Sequence, residues 1–183
     1  PGVQHIHNIL EKINKEKMNQ TYTRSDSKVE VTGLEARYYD LLMNTITAGT
    51  YPVFIRNAIR EMQIQPGDNI LVFGAGTGRN MDLMDKYLSG KGRIVGLDVG
   101  PEMLEQAQRR FADHPYITIK KQRIEELLPY QGEFDKVFIS FVLHGFVQED
   151  RLKIIDTAHR ALRPGGEFII LDYNEFDLKQ YLC

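Results

Sequence analysis

Three glycines stand at alternate positions, Gly74, Gly76 and Gly78, directly after the apolar run Ile70-Leu-Val-Phe73. A strand emptying into such a loop lets a ligand approach the main chain with no Cβ in the way. Twenty residues beyond Gly78, at the end of a second apolar run (Arg93–Val99), lies a single carboxylate, Asp98. A glycine loop with an acid at the end of the next strand suits an adenosine-type ligand. The main chain lies against one end of it and the carboxylate accepts from a ribose diol. The alternative role for Asp98 is capping, since the next helix begins two residues later. Further along, Phe134–Phe141 forms another apolar run, followed at once by Val-Leu-His144. His144 is the nearby group able to act as a general base near neutral pH; packing or orienting its loop is the alternative.

The spacing separates the possible cofactors. A dinucleotide fingerprint, G-x-G-x-x-G, needs a third glycine at position 79, where this chain has Arg79. That glycine normally permits the helix packing that seats a pyrophosphate. No Gly-Lys-Ser/Thr follows, which excludes a Walker loop. The remaining candidate carries no phosphate: S-adenosylmethionine. The segment resembles motif I of the class I S-adenosylmethionine-dependent methyltransferases. Ile94-Val-Gly-Leu-Asp98 with Gly100–Ala107 is similar to the second motif and its helix, Phe134–Phe141 to the fourth strand, and Leu162-Arg-Pro-Gly-Gly166 to the turn into strand five. These matches cover residues 66–173 in order. Ala36-Arg-Tyr-Tyr-Asp40 resembles the quinone-biosynthesis C-methyltransferases and their small-molecule relatives.

The resemblance implies binding of S-adenosylmethionine and release of S-adenosylhomocysteine. Gly74, Ala75, Gly76, Thr77 and Gly78 would lie beneath the methionine part, and Asp98 would bind both ribose hydroxyls. Val99 and Met103 would pack near the adenine, although a methionine on an inner helix face is often core. Ser140 and Phe141 would face the methyl group, Phe146 would line the acceptor pocket, and Tyr38, with Tyr22 and Tyr39, would form a lid. Two positions depart from the family. Val72 stands where an acid usually precedes the loop. Arg123-Ile124 replaces the usual Asp-Ala, whose carboxylate accepts from the adenine amino group. Arginine has donors only; it could stack on the adenine, Glu125 could reach the amino group, and the Ile124 amide could still reach the ring. An Asn/Asp-Pro-Pro-aromatic motif is missing after the fourth strand, and Cys183 is misplaced for attack on a cytosine. Both point to a small-molecule acceptor, and the resemblance implies a quinone precursor or lipid headgroup. The alternative is a catalytically inactive methyltransferase-like partner subunit.

The elements that must position these residues follow from periodicity. Residues 1–64 read as an N-terminal helical cap, with helices near Leu34–Thr47 and Tyr51–Gln63. Residues 65–183 read as the cofactor-binding domain, a Rossmann-like, doubly wound, mostly parallel α/β sheet. Its strands are expected at Asn69–Phe73, Arg93–Val99, Ile117–Lys121, Phe134–Phe141 and Glu167–Tyr173. Leu152, Ile155, Ala158 and Leu162 would form the buried stripe of the last helix. The family's last two strands are not evident, so strand five becomes an apolar edge. A second copy, a partner chain, or the rest of a longer gene product is expected to cover it. With 183 residues, 23 basic and 25 acidic side chains, and six of each in residues 1–50, nothing marks a nucleic-acid partner. No metal site, signal segment or transmembrane run is expected, and a cytoplasmic location follows by default.

Overall fold

The computed structural model describes residues 51–172. The elements are α1 (Tyr51–Glu61), β1 (Asn69–Phe73), α2 (Arg79–Leu88), β2 (Arg93–Asp98), α3 (Pro101–Arg110) and β3 (Ile117–Lys121). They continue with β4 (Phe134–Ser140), a short 3-10 turn (Leu143–Gly145), α4 (Gln148–Ala161) and β5 (Leu162–Leu171). The five strands form one parallel sheet in the order β3-β2-β1-β4-β5. This confirms the doubly wound α/β reading.

Alternation along the strands divides the core between the two faces of the sheet. Ile70, Val72, Ile94 and Phe138 turn one way, into a cluster with Ile55 and Ile59 of α1 and Met81, Met84 and Leu88 of α2. Leu71, Phe73, Val95, Leu97, Val137 and Ile139 turn the other way, against Ile154, Ala158 and Ala161 of α4. Covering both faces is what makes the central strands read as continuous apolar runs. Val72, which replaces the family's acid before the glycine loop, is only 2% exposed. It is a core residue here.

The structure differs from the sequence expectations in three places. Strand β5 begins at Leu162, immediately after α4, and pairs Phe134 with Leu162 before a register shift and resumed pairing at Lys136–Glu167. Arg163-Pro-Gly-Gly166 is therefore an irregularity within the strand, with Gly165 at φ +83°, and not a turn ahead of it. Leu162 has left the helix, so the buried stripe of α4 runs through Ile154, Ile155, Ala158 and Ala161. Finally, β4 stops at Ser140 because Phe141 adopts φ +54° and turns the chain out of the sheet. Among the described strands β5 is an edge, with Ile170 exposed. Tyr22, Tyr38, Tyr39, Cys183 and the expected helix at Leu34–Thr47 lie outside the described residues.

One glycine fixes how closely α2 packs. A Cβ on Gly96, in the middle of β2, would lie 2.6 Å from Met81 Sδ and 2.9 Å from Ala75 Cβ. Gly96→Ala is therefore expected to push the loop and α2 off β2 and cost about 1–3 kcal/mol. For a chain of this size that lowers the melting temperature by roughly 3–10 °C. An unchanged melting curve would show that the two layers yield without strain.

Candidate active site

The chain leaves β1 through Gly74, Gly76 and Gly78 at φ +67°, +55° and +81°. These backbone angles strongly favour glycine over any residue with a Cβ. The loop is pinned at several points. Ala75 N–H donates to Leu97 O at 2.9 Å, Gly78 N–H to Ala75 O at 3.0 Å, and Arg110 Nε to Thr77 O at 2.9 Å. A Cβ on Gly74 would meet Val142 Cγ2 at 2.5 Å, and one on Gly78 would meet Phe111 at 2.5 Å. The loop is thus clamped between β2, the segment after β4 and the end of α3.

Asp98 is the hub. Its Oδ2 accepts from Gly76 N–H at 2.7 Å, and its Oδ1 accepts from Val99 N–H at 2.8 Å and Gly100 N–H at 2.9 Å. The carboxylate therefore holds the glycine loop on one side and the entry to α3 on the other. The bonded amides precede α3's own first turn, so this differs from an ordinary N-cap. A carboxylate offers about four acceptor positions, of which three are filled. Oδ2, which accepts a single backbone amide, has room for a further donor.

A pocket opens beside Asp98 at the C-terminal ends of the strands, where an open α/β sheet holds its ligand. It is a half-open cleft of about 390 Å³, open solvent included. Gly74, Asp98, Val99, Arg123 and Ile124 line it as expected, and Leu97, Glu125, Val142 and Phe146 complete the wall. Other expected residues sit elsewhere. Met103 is 4% exposed on the inner face of α3 and belongs to the core. Ser140 Oγ accepts from Asn80 Nδ2 at 3.0 Å, joining the end of β4 to the first turn of α2. The Phe141 ring lies 6.4 Å from that of Phe54 on α1.

The segment after β4 holds a second arrangement. His144 Nδ1 lies 2.7 Å from Asp172 Oδ1, and His144 N–H donates to Asp172 Oδ2 at 3.0 Å. A carboxylate only accepts, so Nδ1 carries the proton and Nε2 is the basic nitrogen of the neutral ring. Arg151 of α4 donates to the carbonyls of Leu143, Phe146 and His144, which fixes the turn around the ring. Asp172 is 11% exposed at the side chain and His144 is 47% exposed. Sequence reasoning found His144 but missed Asp172, which is 28 residues away and belongs to no motif. Parallel pairing of β4 with β5 brings the two together.

The parallel α/β sheet thus carries a glycine-loop pocket at the C-terminal ends of its strands. The model of the methyltransferase domain matches residues 70–166, and the chain belongs to that family. It is 30% identical over 141 residues to a demethylmenaquinone methyltransferase of Symbiobacterium thermophilum, covering 75% of this chain and 55% of that protein. It is 29% identical to a ubiquinone/menaquinone biosynthesis C-methyltransferase of Methylococcus capsulatus, covering 75% and 56%. The chain thus spans about half the length of these curated relatives. The crystal structure of an S-adenosylmethionine-dependent methyltransferase from Mesorhizobium loti is similar with a TM-score of 0.53 and 31% identity, over 62% of this chain and 51% of that one. No helix among the described residues is long and apolar enough to cross a membrane.

Asp98→Asn tests the hub. An amide in place of the carboxylate points an N–H₂ at a backbone N–H on one side or the other. The unliganded chain is expected to lose about 1–3 kcal/mol, read as a melting temperature lower by roughly 3–10 °C. An unchanged value would mean that the loop and α3 stand without the carboxylate.

Proposed function

We propose that the chain transfers a methyl group from S-adenosylmethionine to a small organic acceptor, and that this acceptor is a quinol-type ring. The observation that carries the reading is the pocket between Gly74 and Asp98, bounded by a glycine loop whose backbone angles strongly favour glycine. The residues present fit the cofactor. Val142 packs on Gly74 where a Cβ would lie, so that both line the pocket, Asp98 Oδ2 can accept from a ribose hydroxyl, and Val99, Leu97 and Ile124 give apolar walls for a base. When bound, S-adenosylmethionine supplies the methyl carbon, whose bond to sulfur breaks with the electron pair staying on sulfur as the acceptor forms its new bond to carbon.

The chain's own part is alignment and proton removal. Holding two reactants in line can be worth several kcal/mol, and the clamped loop and the fixed turn after β4 serve that end. His144 Nε2 takes the proton that the acceptor must lose, while Asp172 holds the ring in the required tautomer. A quinol hydroxyl suits such a base, because losing its proton makes both its oxygen and the adjacent ring carbons nucleophilic. The quinone methyltransferases among the relatives support this choice of acceptor. In this reading residues 65–183 bind the cofactor, residues 1–64 cap the acceptor, and Tyr38 belongs to that cap.

Methyl transfer from isotopically labelled S-adenosylmethionine to a demethylated naphthoquinol tests the reading. The chain is expected to form methylated product and S-adenosylhomocysteine in equal amounts. His144→Gln is expected to lower kcat by about 100-fold or more with little change in KM for the cofactor. Asp172→Asn, which favours the other tautomer, is expected to lower kcat less and to change the pH profile of kcat. Unchanged kcat in His144→Gln would remove the base from the mechanism. Ligand binding without turnover on any quinol or other small acceptor would favour the inactive-partner alternative.

A further inference from the structure

One arginine joins the pocket wall to His144. Val142 and Phe146 both line the pocket beside Asp98, and the 3-10 turn Leu143–Gly145, which carries His144, is the chain between them. None of the three residues of that turn is fully buried, so hydrogen bonds carry much of its order. Gly145 N–H donates to Val142 O and Phe146 N–H to Leu143 O, each at 3.1 Å. Arg151, near the start of α4, adds three more. Its Nε donates to Phe146 O at 2.8 Å and to Leu143 O at 3.1 Å, and its Nη2 donates to His144 O at 3.1 Å. A planar guanidinium fixes the directions of its donors relative to one another. The carbonyls of Phe146, a buried residue of the pocket wall, and of His144 are thereby held to one rigid group. From the other side Asp172 holds His144 through the ring and the main-chain N–H.

We propose that Arg151 is a positioning residue that couples occupancy of the pocket to the orientation of the His144 ring. A ligand packed against Phe146 bears on the same guanidinium that holds the His144 carbonyl. The turn between them is an element that both sites bias, which is the physical requirement for coupling. The inference rests on the pocket taking an adenosyl ligand, and it does not depend on which acceptor is methylated. Its consequence for a transfer reaction is that the basic nitrogen is brought into line only when the group donor is in place. Lysine cannot take this role. Its ammonium is a point charge on a flexible stem and lacks the fork that spans Phe146 O and His144 O.

Calorimetric titration with S-adenosylhomocysteine, paired with heteronuclear NMR of the imidazole nitrogens, tests this on the full chain. The His144 signals are identified by their loss in His144→Gln. The unaltered protein is expected to bind the ligand and, on binding, to shift its His144 ring-nitrogen signals towards a single tautomer with the proton on Nδ1. Arg151→Gln and Arg151→Lys are expected to bind the ligand as well, but with that shift lost. A loss of stability alone would leave the ring response in place, so the signals separate a positioning role from a merely structural one. A response in both variants equal to that of the unaltered protein overturns the coupling; so does ligand binding without any ring response in the unaltered protein. If Arg151→Gln does not fold, Arg151→Lys decides. Failure of the unaltered protein to bind S-adenosylhomocysteine overturns the adenosyl pocket itself and this inference with it.

Discussion

The three bonds that Asp98 accepts hold the active end of this fold together. Its carboxylate lies at the end of β2 and reaches sideways to Gly76 and forward to Val99 and Gly100. The glycine loop, the last residues of β2 and the entry to α3 are thereby one rigid corner. The loop's positive φ angles carry no internal preference for one shape, because glycine samples both signs of φ with similar ease. Order has to come from outside the loop, and Asp98, the Leu97 carbonyl and Arg110 supply it. The parallel sheet sets this up: β1 and β2 run side by side, so their ends arrive together, and Gly96 keeps α2 close enough for the amide of Gly76 to reach the acid.

The other half of the site depends on the same sheet in a different way. Phe141 holds a backbone angle that is uncommon for a bulky side chain. Its N–H nevertheless donates to Leu171 O at 2.8 Å, so β5 helps to hold that turn in place. Immediately beyond it, Asp172 receives His144 twice, through the ring and the main chain. Strain and fixation therefore coincide where β4 ends, a combination that gathers at functional sites. The pocket wall contributed by Val142 and Phe146 flanks this turn on either side of His144.

Much of this was legible in the sequence. Apolar runs of five to seven residues with glycine exits give away buried parallel strands, and the pattern of Gly74, Gly76, Gly78 and Asp98 picks out the loop and the acid that the structure brings together. Side-chain direction was harder to read. Met103 carries the right residue type for an adenine wall, but its place on the inner face of α3 buries it in the core. The start of β5 was hidden because Pro164 and Gly165 read as a turn, although the chain accommodates them as a shift in register. Asp172 belongs to no local pattern, and only the pairing of β4 with β5 makes it a partner of His144. Arg123 was visible as a departure, while the depth of Glu125 beside it is a property of the fold alone.

Thermal unfolding with S-adenosylhomocysteine and, separately, with NAD tests most directly the proposal that the pocket takes an adenosyl ligand. A ligand at about 100 times its dissociation constant adds about 2.7 kcal/mol to the folded state. For a chain of this length that is a rise of roughly 5–10 °C. The pocket described here predicts that rise with S-adenosylhomocysteine and none with NAD, because Arg79 stands where a dinucleotide loop needs glycine. A rise with NAD alone, or with neither ligand, would contradict it.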